Sequence, residues 1–169
     1  MNEAFKMAES PWIPCTLQDG TPVELSLREV LMRSHELREL HGESPLVTAS
    51  LHRLLLAVLH RALNGPGDWR AWQELWKQRA WDAERIEGYL SQWHHRFNLF
   101  DPDHPFYQYE SDDERVDEPR AINRLIHEWS HGNMAILFDH HLEANEPALT
   151  PSQAARALVS IQEFGLCGF

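Results

Sequence analysis

The sequence predicts an α+β fold that is mostly helical: an N-terminal β-hairpin followed by about six helices, the whole forming part of a larger mixed domain. Three observations predict it. Apolar residues alternate with polar ones near the start, they recur at three- and four-residue spacing from Ser26 onward, and helix-starting residues precede most of those runs. With 169 residues, 43% hydrophobic and 24% charged, residues 1–169 read as one soluble globular domain.

The hairpin comes first. Ile13, Cys15 and Leu17, then Val23, Leu25 and Leu27, alternate on either side of Asp19-Gly20, a pair that tolerates the positive φ of a tight turn. Ser26 and Glu29 spell a capping box, which predicts a helix running to about Leu40. A second helix is predicted from Ser44-Pro45 to Asn64, stopped by Asn-Gly-Pro-Gly. Its Leu46, Val47, Leu51, Leu54, Leu55, Val58, Leu59 and Leu63 cover most of the circumference, so it should sit centrally.

Asp68 caps a short third helix whose Trp69, Trp72 and Trp76 form a stripe, read here as core. Asp82 caps a fourth, with Ile86, Leu90, Trp93 and Phe97 at helical spacing. The prolines and aromatics of FNLFDPDHPFYQ predict a packed irregular loop, followed by a helix from about Pro119 to Ser130. The last helix opens on Thr150-Pro151-Ser152-Gln153 and should bury Leu158, Ile161 and Phe164. The apolar, glycine-containing FGLCGF ending predicts a fragment of a longer chain.

Charge narrows the function. The net charge of −11 opposes a broad basic face for coating nucleic acid, but residues 101–119 hold eight carboxylates against Arg115 and so carry −7, leaving −4 on the other 150 residues. A solvated acidic loop is expected there, with room for a local nucleic-acid contact elsewhere. No apolar run reaches the roughly 18 residues of a membrane span, and no secretion signal opens the chain, so a cytoplasmic protein is expected. Cys15 and Cys167 stand far apart and should be reduced thiols.

Two spellings suggest metal chemistry. His127-Glu128-x-x-His131 matches a zinc-peptidase helix, in which imidazoles four apart hold zinc while the glutamate acts as base. On a wheel of about 100° per residue, Leu125, Ile126 and Trp129 lie near Ile122, and His127, Glu128 and His131 lie opposite. Both histidines therefore belong to the predicted solvent face, and the third ligand must come from elsewhere, with Glu143 and Glu146 as candidates. Met134 stands where the longer zincin pattern requires glycine. Asp139-His140-His141 has the spelling of the DHH phosphoesterase triplet, but the alternating β/α layout that such enzymes need is missing. His94, His95 and His104 read as hydrogen-bonded or solvated. The preferred reading has no cofactor, metal or catalytic residue, and the zinc hydrolase of His127, His131 and Glu128 is the alternative.

Three stretches together carry a family resemblance. FKMAESPWIPCTLQDGTPVELSLREVL resembles the opening of the CasA family, the large subunit of the type I-E CRISPR surveillance complex Cascade, with Cys15 in place of the usual valine of W-I-P-V. Phe97, Leu99, Phe100, His104, Pro105, Phe106 and Gln108 match that family's F-x-L-F-x-x-x-H-P-F-x-Q stretch, and GNMAILFDHH is similar to a loop that follows in the same order. The resemblance covers nearly all of this chain but about the first third of a family member.

The resemblance implies a non-catalytic subunit that inspects the protospacer-adjacent motif, holds target DNA and recruits the helicase-nuclease. Its implied partners are the other Cascade subunits, the crRNA 5′ handle and double-stranded target DNA, with no membrane. Asn133, Met134, Ala135, Ile136, Leu137 and Phe138 would be the recognition loop, and Gly165 and Gly168 a glycine loop near the minor groove. Glycines suit that task because a backbone approaches base edges only where side chains are absent.

Overall fold

The computed structural model describes residues 4–108, 122–129 and 148–165. Strands β1 (Ile13–Leu17) and β2 (Pro22–Leu25) form the predicted antiparallel hairpin, with Ile13 opposite Leu25 and Cys15 opposite Val23. Gly20, at φ +89°, closes the turn, and Asp19 accepts a hydrogen bond from the Thr21 N–H. Helix α1 (Leu27–Met32) starts at Ser26, whose capping box with Glu29 is complete.

That helix is shorter than the sequence suggests. After Met32 a single 3-10 turn leads into β3 (Leu37–Leu40), which pairs antiparallel with β1 and makes it the central strand of a three-stranded sheet. The reason lies in β1: its second edge carries unpaired backbone groups, and LREL fits them equally well as a strand or a helical turn. Tertiary pairing decides the matter.

Helix α2 (Pro45–Leu63) runs through the centre and packs against α4 (Ala83–Gln92), α5 (Pro151–Phe164) and β3. Its 19 residues are long and apolar enough to cross a bilayer by composition, contrary to the sequence expectation of no such run. Val47, Leu51, Leu54, Leu55 and Val58 are instead buried among protein neighbours, so these contacts account for much of the apolar content. Ile86, Leu90 and Phe97 enter the same core as their spacing predicts.

Trp93 packs partly buried against this core, but the stripe of Trp69, Trp72 and Trp76 does not. Helix α3 (Trp69–Lys77) has no buried residue, and Trp69, Trp72 and Trp76 are 66%, 39% and 75% exposed. They stack on one another, with ring centroids 4.8 and 5.3 Å apart. Periodicity identified an apolar stripe, but a stripe is buried only where another element faces it. Here the facing surface is a shallow groove beside Leu56, Leu59, Leu63 and Trp81.

The 97–108 stretch is an ordered clasp. The Met7 and Leu99 N–H groups donate to the Phe97 and Phe5 carbonyls, and Gln108 Nε2 donates to the carbonyls of Leu99 and Phe106. Asp101, expected in a solvated loop, accepts from the backbone N–H groups of Asp103 and His104. Residues 109–121 lie outside the described residues.

Helix α5 carries the fold's main polar anchor. Of the residues the sequence assigned to its buried face, Leu158 packs partly buried against the core and Ile161 is half-buried, but Phe164 is 36% exposed, and the buried residues are Ala155, Arg156, Ala157, Val159 and Ser160. Small side chains let α5 approach α2 closely. Arg156, only 7% exposed, donates to the Trp12 carbonyl at 2.6 Å, to Glu24 at 2.8 Å and to Glu43 at 2.7 Å.

Replacing Arg156 by Ala leaves that carbonyl and both carboxylates without their donor, which should destabilise the fold by about 3 kcal/mol. Thermal denaturation should register a Tm roughly 6–12 °C lower. Burial pushes the Cys15 thiol up to about 11, against a smaller opposing pull from Arg33. In a Cys167→Ser background, Cys15 should therefore resist iodoacetamide at pH 8 in the native protein and react rapidly once urea unfolds it.

Candidate functional site

The zinc-peptidase spelling meets a different backbone from the predicted one. Of the predicted 119–130 helix, the described residues 122–129 are not α-helical: Ile122–Leu125 is a 3-10 turn, followed by a further turn through Trp129. The N–H groups of Ile126 and Trp129 donate to carbonyls three residues back, at Asn123 and Ile126. The expectation that His127 shares an exposed helical face fails with the helix. Its Nε2 is enclosed and has no hydrogen-bond partner, while Glu128 remains exposed.

His127 lines a cavity of about 260 Å³ between this segment and α5, together with Leu125, Glu128, Gln153 and Ser160. The Ser160 Oγ is likewise enclosed without a partner. Two unsatisfied polar atoms in one cavity favour a small hydrogen-bonding guest, water included. Among the described residues, no three His, Cys, Asp or Glu side chains cluster so as to hold a metal ion. His131 and the Asp139-His140-His141 triplet lie outside the described residues, as do Glu143 and Glu146.

The implied recognition loop, Asn133, Met134, Ala135, Ile136, Leu137 and Phe138, also lies outside the described residues, and so does Gly168. Gly165 is described. It follows α5 in extended conformation, and its N–H donates to the Ile161 carbonyl at 2.6 Å. A Cβ at this position would run into that same carbonyl oxygen, so the helix end itself requires glycine.

Sequence reasoning missed a cationic groove beside the 97–108 clasp. Arg61 of α2 and Arg96 of the 3-10 turn after α4 line it together with His104 and Tyr107. The two arginines are 35 positions apart, so no local spacing announces the pair. Only the packing of α2 against α4 brings them together.

The sequence profile of CRISPR-associated protein Cse1 matches residues 7–169. The chain belongs to the Cse1 family. It is 42% identical over 162 residues to a CRISPR-associated protein CasA/Cse1 of Thermus thermophilus, covering 96% of this chain and 32% of that relative. Its backbone is similar to the crystal structure of Cse1 from Acidimicrobium ferrooxidans, with a TM-score of 0.78 and 30% identity, over 98% of this chain and 30% of that one. A chain in a structure named CRISPR RNA-guided surveillance complex, pre-nicking, matches with a TM-score of 0.77 and 28% identity, over 94% of this chain and 33% of that one. The chain thus spans about a third of the length of these relatives.

Membership in the Cse1 family and the lost helical register of His127 weaken the metallohydrolase alternative together. Protein purified without a histidine tag should carry well under one equivalent of zinc by elemental analysis, and His127→Ala should not change that content. A stoichiometric zinc ion that disappears in this variant would restore the alternative.

Proposed function

We propose that the chain is a non-catalytic, cytoplasmic part of a type I-E CRISPR RNA-guided DNA surveillance complex, where it contributes to protospacer-adjacent motif recognition, target-DNA binding and recruitment of the helicase-nuclease. The observation that carries this reading is the backbone likeness to a chain of the CRISPR RNA-guided surveillance complex, joined to the Cse1 match from residue 7 to 169. Its partners on this reading are the other complex subunits, the crRNA 5′ handle and double-stranded target DNA.

The physical division of labour follows from the chemistry of the grooves. The minor groove carries a degenerate donor and acceptor pattern, so a loop that reads it needs close backbone approach more than long side chains. Gly165 has no side chain to block such an approach, and Gly168 follows three positions later. Asn133 supplies an amide for base edges or phosphates, and Ile136, Leu137 and Phe138 supply apolar bulk for packing on a base step or a neighbouring subunit. Guide pairing would read the remainder of the target, as in other RNA-guided systems.

A complex reassembled with residues 133–138 replaced by a Gly-Ser segment should lose at least tenfold in affinity for a target duplex carrying its motif. It should also lose the distinction between duplexes with and without the motif, while its subunit composition stays intact. Electrophoretic mobility shifts at fixed salt measure the affinity, and unchanged affinity and discrimination would remove these residues from the recognition role.

A further inference from the structure

The groove between α2, the end of α4 and the 104–108 turn has a composition that the motif-recognition loops do not explain. It offers about 350 Å³, at the small end of the range for ligand clefts. Its floor is aromatic: Phe97 and Phe106 are buried and stack with centroids 6.0 Å apart, and Tyr89 meets Phe97 edge to face at 6.5 Å. Its rim is cationic. Arg61 and Arg96 line it and, like several other surface arginines, form no ion pair with a described residue; what sets them apart is their place beside the aromatic floor.

Tyr107 completes the rim in an uncommon way. Its φ is +55°, a left-handed conformation that a bulky side chain rarely adopts and that costs roughly 1–3 kcal/mol. The Gln108 N–H bond to Pro105 and the two bonds from Gln108 Nε2 hold the backbone there. The result is a ring lying 4.2 Å from Phe106 and still 43% exposed, so the strain serves to present an aromatic surface at the mouth of the groove. Burial, with smaller pushes from Glu163 and Tyr89, raises its phenol above the usual range.

Unpaired guanidiniums beside a presented aromatic ring fit an anion that carries a planar base. We propose that this groove binds a single-stranded nucleic-acid segment, with Arg61 and Arg96 on adjacent phosphates and Tyr107 stacked on one unpaired base. A duplex does not fit the same description, because its bases are already stacked on one another. DNA and RNA share the phosphate and base chemistry that the groove reads. The inference presupposes the nucleic-acid role proposed above but uses none of residues 133–138, Gly165 or Gly168.

Fluorescence anisotropy of labelled DNA and RNA strands of about 12 nucleotides, and of the matching duplex, tests the assignment across a salt series. Wild-type protein should bind a single strand more tightly than the duplex, and the preferred strand identifies the source. The Arg61→Ala/Arg96→Ala variant should flatten the slope of log affinity against log salt by about 1.4, the value for two lost phosphate contacts on a single strand. Tyr107→Gly should weaken binding about tenfold with the slope unchanged, since it removes a stacked ring. Glycine accepts the local φ, so this variant should keep the wild-type Tm and exclude misfolding as the cause.

Unchanged single-strand affinity in both variants, or equal losses on strand and duplex, would overturn the groove assignment. If replacing residues 133–138 still abolished duplex recognition, the proposed function would stand without the groove. If the wild-type protein bound no strand at all, the groove assignment would also fall.

Discussion

Arg156 is the constraint on which much of the architecture depends. It projects from α5 into the junction of three other segments: the residue entering β1, the middle of β2 and the turn before α2. A buried guanidinium is expensive to desolvate and is tolerated only where acceptors surround it. One peptide carbonyl and two carboxylates do so here, each more than 110 positions away in sequence. Glu24 and Glu43 keep roughly half of their side-chain surface in water, so their own desolvation is modest while the arginine is almost fully enclosed. The geometry fixes the rotation of α5 about its axis. Placing Arg156 on these acceptors turns Ala155, Val159 and Ser160 inward and leaves Phe164 near the surface.

A second constraint operates at the other end of the fold. The N-terminal lead is tied to the 97–99 backbone through Phe5 and Met7, and the Trp12 indole N–H donates to the Met7 carbonyl at 2.8 Å. The W-I-P-C stretch and the F-x-L-F-x-x-x-H-P-F-x-Q stretch are therefore parts of one assembly. Phe97, Leu99 and Phe106 enter the core that receives Met7 and Trp12. Because Arg156 also grips the Trp12 carbonyl, the clasp and α5 communicate through a single residue.

Local chemistry made much of this legible in the sequence. The caps at Ser26, Ser44, Asp68, Asp82 and Thr150 all form as their spelling indicates, because a cap is decided within four residues. The Asp19-Gly20 turn is legible for the same reason. Arg156 was not, since a lone arginine reads as solvent-facing until carboxylates from distant segments converge on it. β3 was hidden because its pairing belongs to β1, and the tryptophan stripe misled because burial depends on what lies opposite. At the candidate site, the H-E-x-x-H spelling carried a helical assumption that the tight turns at Asn123–Trp129 remove. The Arg61–Arg96 pairing required the packed α2 and α4 before it could be seen.

An acidic chain can still recognise a polyanion if its cations act at contact range. Charges separated by more than a Debye length of about 8 Å at physiological salt are largely screened, so the total of −11 weakens long-range attraction without cancelling a guanidinium touching a phosphate. The consequence is a division between approach and grip. Approach to nucleic acid gains little from the chain's own field, and a basic neighbour or a bound guide could bring the target near. On the proposed reading, grip would come from short-range geometry: glycine allowing backbone proximity, arginines with no ion-pair partner among the described residues, and an aromatic ring held in place against a backbone penalty. A surface of this kind would disfavour indiscriminate coating of DNA and reward a strand whose phosphate and base both fit, the selectivity that the proposed surveillance role requires.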